Sequence, residues 1–508
     1  MGVVEIRDLS FSYPNGRPAL HSVNLTVGEG EFVGVMGPSP SGKSTLAYCM
    51  AGLIPNCIEG EMRGSVVVDG LDTREHTIAE LSRRVGIVFQ DPEAQLLELR
   101  VVDEVALPLE NLGLPPEEIG ERVREALEVV GLRGYEERCP TELSGGEKQR
   151  LAIASVLALR PKVIVLDEPT ANVDLKGTAQ VYETLCLLNR EHGLTVIVIE
   201  NKVELVRRYA ERAVLMRDGR IVADGPADEV LSNRPLLERL DLESPPRAQA
   251  PERREASGRS ESCADPELIR FENVTYRYPD GTVALRGVSL VVSEGERLFL
   301  MGENGSGKST LVKHMNGLLK PTEGRVLVNG VDTRECPTYK LSRVVGLVFQ
   351  NPAHQIVGST VYDEIALGLR SRGLPEERAR GEALRVAKAF GLEDKLDMIP
   401  EELSTGELKR LMVASVVAMR PKVIVLDEPM TGMTRAHSRR VLDSILSVLG
   451  HGVTLVAITH DPVLAMEYAT RVVLMSEGRV VAEGEPELVL GAPEFSQYLE
   501  EAEVVSGV

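Results

Sequence analysis

The apolar residues of this chain gather in short unbroken runs, not in long amphipathic repeats. Phe32 to Met36, Val163 to Leu166 and Leu298 to Met301 carry no polar alternation, and the segment Val163-Ile164-Val165-Leu166-Asp167-Glu168-Pro169 recurs verbatim at 423–429. Runs of this length suit strands buried on both faces of a parallel sheet. Between them lie longer stretches such as Glu118 to Val130 and Glu382 to Phe390, which read as helices. That alternation predicts an α/β fold with a substantially parallel core sheet.

The pattern runs through the chain twice. Matching positions are offset by 265 residues near Gly37 and by 260 from Gly70 through Gln90, Leu143 and Asp167, so the first half has extra residues within Ile54 to Arg63. Between the halves, Ser244-Pro245-Pro246 and the charged, Ser-rich run to Ser262 lack apolar periodicity and read as a flexible linker. Domains are therefore expected at 1–240 and 267–508, with a linker at 241–266.

Each half places a glycine-rich loop after an apolar run. The first is Gly37-Pro38-Ser39-Pro40-Ser41-Gly42-Lys43-Ser44, followed by Thr45; the second is Gly302-Glu303-Asn304-Gly305-Ser306-Gly307-Lys308-Ser309, followed by Thr310. Both fit the strand-loop-helix pattern in which backbone N–H groups cradle phosphates, the lysine reaches the β- and γ-phosphates and the serine hydroxyl meets Mg²⁺. The run ending at Leu166 delivers Asp167 and Glu168 at a strand's carboxyl end, and Asp427 and Glu428 repeat the arrangement. One carboxylate can serve a metal shell while its neighbour polarises an attacking water.

Composition narrows the partners. The 508 residues carry a formal charge of −20, which argues against a broad nucleic-acid surface. Six cysteines (Cys49, Cys57, Cys139, Cys186, Cys263, Cys336) form no C-x-x-C pair and are expected as free thiols. The N-terminal residues show no signal pattern and no apolar stretch reaches the length of a bilayer span, so any membrane role is expected to run through a partner.

Upstream of each Asp-Glu strand lies Leu143-Ser144-Gly145-Gly146-Glu147 or Leu403-Ser404-Thr405-Gly406-Glu407. Taken alone, such a string could be a plain helix cap. Between a phosphate loop and an Asp-Glu strand it resembles the signature of ATP-binding-cassette (ABC) ATPases, and the resemblance covers both halves nearly end to end. It implies two tandem P-loop ABC-type ATPase domains, each with a mainly parallel core sheet, an antiparallel β region and a helical subdomain. Under that resemblance ATP and Mg²⁺ are the cofactors. Tyr13 and Tyr278 would stack on adenine, and Gln90 and Gln350 would sense Mg²⁺ and the attacking water. The metal set would be Ser44, Gln90 and Asp167 in one half and Ser309, Gln350 and Asp427 in the other. Glu168 and Glu428 would be catalytic, His460 would contact the γ-phosphate with Asn201 in the matching place, and Asp174 would meet the opposite domain. A lone tyrosine would more readily be packing and a lone histidine a surface or core residue; their register with the other motifs carries the assignment.

The resemblance also implies head-to-tail pairing, each ATP lying between one domain's phosphate loop and the other's signature. Four departures then fall on the site built on Lys43: Pro40 against Gly305, Asn201 against His460, Thr405 against Gly145 and Thr434 against Asp174. Proline removes an N–H, and asparagine cannot carry imidazolium charge. A slow first site and a competent second site, built on Lys308 with Glu428, are expected. The linker favours pairing within one chain; exchange of halves between two chains stays open.

A narrower likeness follows each glutamine. Gln90-Asp91-Pro92-Glu93-Ala94-Gln95 then Glu104-Val105-Ala106, and Gln350-Asn351-Pro352-Ala353-His354-Gln355 then Glu364-Ile365-Ala366, resemble the ATPases of energy-coupling-factor importers. That family implies a transmembrane coupling protein and a small membrane-embedded substrate binder as partners, import of a vitamin or transition-metal ion, and a place on the cytoplasmic face of the cell membrane. The segment after the glutamine would dock the partner, or else be an ordinary helical subdomain. A tandem sugar-importer ATPase, a cassette ATPase acting on ribosomes, a DNA-repair cassette and a regulatory ATP-binding module fit less well: no long charged arm or sustained heptads are present, and Glu428 and His460 occur together.

Overall fold

The computed structural model describes residues 2–14, 16–171, 173–242, 266–352, 355–492 and 495, in two compact units covering 2–242 and 266–495. Of the expected linker, residues 243–265, Cys263 among them, lie outside the described residues, as do Asn172 and the pair Ala353-His354, whereas Leu242 is buried in the first unit's core.

The first unit is built on a six-stranded sheet. Its spatial order is Arg220–Pro226, Arg212–Arg217, Phe32–Met36, Thr195–Ile199, Val163–Asp167 and Val85–Val88. All neighbours are parallel except Arg220–Pro226, which pairs antiparallel at the edge. Every residue of Phe32–Met36, Val163–Asp167 and Thr195–Ile199 is buried, which explains why these strands show no polar alternation. The second unit repeats the sheet as Val345–Val348, Val423–Leu426, Thr454–Ile458, Arg297–Gly302, Arg471–Ser476 and Arg479–Gly484. The expected parallel core is present in both.

A second, antiparallel sheet is present in each unit. Val4–Ser12 pairs with Pro18–Val27 and Glu61–Val68, and Glu267–Arg277 pairs with Val283–Ser293 and Glu323–Val328. The extra residues of the first half form a short helix, Leu53–Asn56, and lengthen the following strand to eight residues against six. Among the helices of each unit, three pack together as a group: Val101–Asn111, Pro116–Val129 and Gly145–Leu157 in the first, Val361–Ser371, Glu376–Ala389 and Thr405–Ala418 in the second. Val101, Val105, Leu109, Leu127 and Leu151 form their common buried face in the first unit. Among the described residues no helix is long and apolar enough to cross a membrane.

Candidate nucleotide and catalytic sites

The central strand of each unit feeds its phosphate loop, and the loop opens a helix, Lys43–Met50 or Lys308–Met315. Gly42 and Gly307 precede these helices in the left-handed region, at φ 91° and 96°. A Cβ on either would come within 2.5 Å of a backbone carbonyl, Ala19 O or Ala284 O, so no other residue fits there. The turn leaves the helix N–H groups facing the loop's hollow, an anion cradle. Lys43 Nζ donates to Gly37 O at 2.7 Å and Pro38 O at 3.3 Å; Lys308 Nζ donates to Gly302 O at 2.8 Å and Glu303 O at 2.6 Å. Both ammonium groups thus sit inside their own loops, and burial pulls Lys43 below its ordinary pKa. Ser41 and Ser306 are buried beneath the loops, while Ser39 and Asn304 lie on the outer turn.

The loops differ at three positions, Pro38/Glu303, Ser39/Asn304 and Pro40/Gly305, and the third changes what the backbone can do. Gly305 takes φ 79° with open space around it, whereas the first loop has Ser39–Pro40 as a cis peptide. Proline's ring holds φ near about −65°, so Pro40 cannot copy Gly305, and it offers the cradle no N–H.

Tyr13 and Tyr278 are tied to the helices behind the loops. Their hydroxyls hydrogen-bond Thr45 Oγ1 and Thr310 Oγ1, both at 3.0 Å, and their rings meet Phe11 and Tyr276 edge-on. That tether fixes each ring at its loop's flank.

Ser309 Oγ donates to Asp427 Oδ1 at 2.8 Å, and Ser44 bonds Asp167 in the same way. Burial pushes both aspartates above the usual carboxylate range. A hydroxyl and one carboxylate beside a phosphate cradle suit Mg²⁺, which keeps waters and takes substrate phosphates as its other ligands. Among the described residues there is no group of three or more His, Cys, Asp or Glu side chains that could hold a metal.

The two glutamates have different surroundings. Glu428 Oε1 lies 3.2 Å from His460 Nε2; burial pushes its carboxyl up, but the His460 bond and the charges of His460 and Lys308 outweigh it and hold the group below its ordinary value. Glu168 receives two neutral amides, Gln90 Nε2 at 2.9 Å and Asn201 Nδ2 at 2.5 Å, and burial pushes it up to about 7. Gln90 is half-buried against that carboxylate, whereas Gln350 is exposed. Both glutamates adopt left-handed backbone, φ 47° and 50°, which sequence reading did not anticipate.

Each signature serine starts a helix. Ser144 N donates to Glu147 Oε2 at 2.7 Å and Ser144 Oγ accepts from Glu147 N at 3.3 Å; Ser404 and Glu407 form the corresponding pair. Gly145, Gly146, Thr405 and Gly406 occupy the first helical turns, where N–H groups are free to meet an anion. Asp174 and Thr434 each cap a helix, accepting from Gly177 N at 2.8 Å and His437 N at 3.3 Å. The exchange between them keeps the cap.

Sequence reading missed two features. Buried Glu104 Oε2 accepts from Leu97 N at 2.7 Å and Glu98 N at 2.8 Å, and Glu364 Oε2 holds Val357 N and Gly358 N at 2.9 and 2.8 Å. Gln95 and Gln355 brace the same segments, each accepting from the phenylalanine N–H ahead of the site glutamine at 3.1 Å. The second is Glu200, buried behind Asn201, whose only sequence signal is the contrast between Ile199-Glu200-Asn201 and Ile458-Thr459-His460.

Two phosphate cradles, each with a serine–aspartate pair and a glutamate at the end of a parallel strand, define a duplicated P-loop ATPase. The ABC transporter family model matches residues 20–171 and 285–431. A chain from Caldanaerobacter subterraneus subsp. tengcongensis, provisionally described as an ABC transporter ATP-binding protein, is 40% identical across 94% of this chain and 90% of its own length. One from Vibrio vulnificus with the same description is 34% identical across 94% and 89%. A solved structure described as cbiO1 from Clostridium perfringens, part of the ABC transporter complex cbiONQ, is 31% identical over 48% of this chain and 96% of its own, with a TM-score of 0.43. This chain belongs to the ABC transporter ATPases, with two ABC domains. ATPases of this family bind ATP and work with membrane partners.

Proposed function

We propose that this chain hydrolyses ATP to energise import of a small micronutrient, a vitamin or transition-metal ion, through a transmembrane coupling protein that works with a small membrane-embedded binder. The carrying observation is the braced segment after each site glutamine. Glu104 spends an acceptor oxygen on its backbone and Gln95 ties it back to the Phe89 N–H, and the segment turns Leu97 and Leu99 outward at 74% and 80% exposure; Val357 in the second unit is 75% exposed. A rigid loop presenting large apolar side chains to water is suited to a protein partner.

In the second site Glu428, held ionised, accepts the proton of the attacking water, and His460 steadies it. Lys308 and the N–H groups of the following helix neutralise the β- and γ-phosphates. Ser309 and Asp427 would hold Mg²⁺, which supplies charge neutralisation at the phosphates. The first site binds with the same parts, but Glu168 is engaged by two amides and Pro40 removes a donor, so it turns over slowly.

Capture of the chain from gently solubilised membranes tests the transport reading. The expected result is co-purification of a multi-span protein with a small integral membrane protein, weakened by Leu97→Asp with Leu99→Asp. Recovery of ribosomes, or of ATPase activity with no membrane protein, would overturn it.

A further inference from the structure

Glu200, at the end of strand Thr195–Ile199, is 3% exposed. Its Oε2 accepts the hydroxyls of Thr170 and Tyr182, each at 3.0 Å. Its Oε1 accepts the N–H groups of Asn201 at 2.8 Å and Lys202 at 3.1 Å. A buried carboxylate is tolerated only with its oxygens satisfied, and four donors meet that demand. Three segments are thereby tied at one point: the turn after Glu168, the helix Leu175–His192 and the loop bearing Asn201. Lys202 Nζ adds a bond across to Thr170 O at 3.4 Å.

The second unit has none of these polar groups. The repeat register puts buried Met430, Leu442 and Thr459 where the first unit has Thr170, Tyr182 and Glu200. Thr459 Oγ1 instead accepts Asp461 N at 3.1 Å. All three members change together, as a network must when a missing donor would strand a buried carboxylate.

We propose that Glu200 is a positioning residue of the first ATP site. Its network clamps Asn201 onto Glu168, so that both oxygens of Glu168 stay occupied by Asn201 Nδ2 and Gln90 Nε2 and the site retains ATP instead of turning it over. Glu200 acts through Asn201 and the Thr170 turn. The inference rests on the slow-first-site reading above.

The test uses the full chain carrying Glu428→Gln, so that the remaining turnover is the first site's. ATP kcat and KM are compared for this parent, for added Tyr182→Phe, and for the added set Thr170→Met, Tyr182→Leu and Glu200→Thr. Releasing the clamp is expected to raise kcat about tenfold in the triple set and about threefold in Tyr182→Phe, with KM within about twofold. Tyr182→Phe keeps the ring and its stack on Tyr209, centroids 4.8 Å apart, and so keeps the question answerable if the triple set does not fold. Unchanged kcat, or a fall in kcat that tracks a lower Tm, overturns the clamp. A Glu428→Gln parent as fast as its Glu168→Gln counterpart would overturn the slow-site reading itself; a slow parent that stays slow in Tyr182→Phe overturns only the clamp.

Discussion

Replacing Glu428 by glutamine should cripple steady-state ATP hydrolysis, and the same change at Glu168 should not. Glu428 is held below the usual carboxylate range by His460 and Lys308, so at neutral pH it is fully ionised and able to accept a proton. Glutamine keeps the shape and a hydrogen-bond acceptor but removes that capacity. A positioned general base contributes about 10²–10⁴-fold, equivalent to about 2.7–5.5 kcal/mol of barrier. If nearly all turnover passes through the Lys308 site, Glu428→Gln loses that full factor. Glu168, already bonded to Gln90 and Asn201, carries little flux, and Glu168→Gln should lower the total less than about twofold. Phosphate release at saturating ATP and Mg²⁺ reads both. Equal losses would refute the assignment of unequal sites, and a loss of less than about tenfold at Glu428 would refute its role as base.

Ser309→Ala should raise the Mg²⁺ concentration for half-maximal ATPase about tenfold or more, because Asp427 loses the hydroxyl bonded to it at 2.8 Å; an unchanged Mg²⁺ titration would remove the pair as the metal's seat. Cys49 is buried and its thiol is pushed up to about 12 from 9.0, so a thiol reagent at pH 8 should label exposed Cys57 in the native chain and leave Cys49 unmodified. The folded state then holds the Cys49 proton more tightly than the unfolded chain. Its contribution is complete below pH 9 and declines from there to pH 12, by up to about 1.4 kcal/mol per pH unit. Denaturant titrations of the wild type and Cys49→Ala at pH 8 and 10 should therefore converge or cross as pH rises; a constant difference would refute the shift.

The parallel cores were legible because strands such as Val163–Asp167 are buried on both faces and write themselves as unbroken apolar runs. Loop lysines, aspartates and glutamates were legible because the chemistry needs them at fixed spacing beside those strands. What spacing cannot show is what a side chain touches. Nothing in the register of Tyr13 reveals its bond to Thr45, nor does the register show that Asp174 and Thr434 each cap a helix. The Glu200 network was hidden for the same reason: Thr170, Tyr182 and Glu200 lie on three separate elements and meet only once the sheet and its flanking helix pack.

The left-handed backbone at Glu168 and Glu428 bears on how this protein could be engineered. A non-glycine residue in that region costs about 1–3 kcal/mol, and here it is spent twice, at φ 47° and 50°, each time just before a proline. A library screened for thermal tolerance alone would be drawn to glycine or asparagine at these two places, gaining melting temperature while discarding the buried carboxylate. Stabilised variants of this chain should thus be sought away from Glu428, and the appearance of Glu428→Gly among the survivors would signal that the screen had stopped selecting for an ATPase.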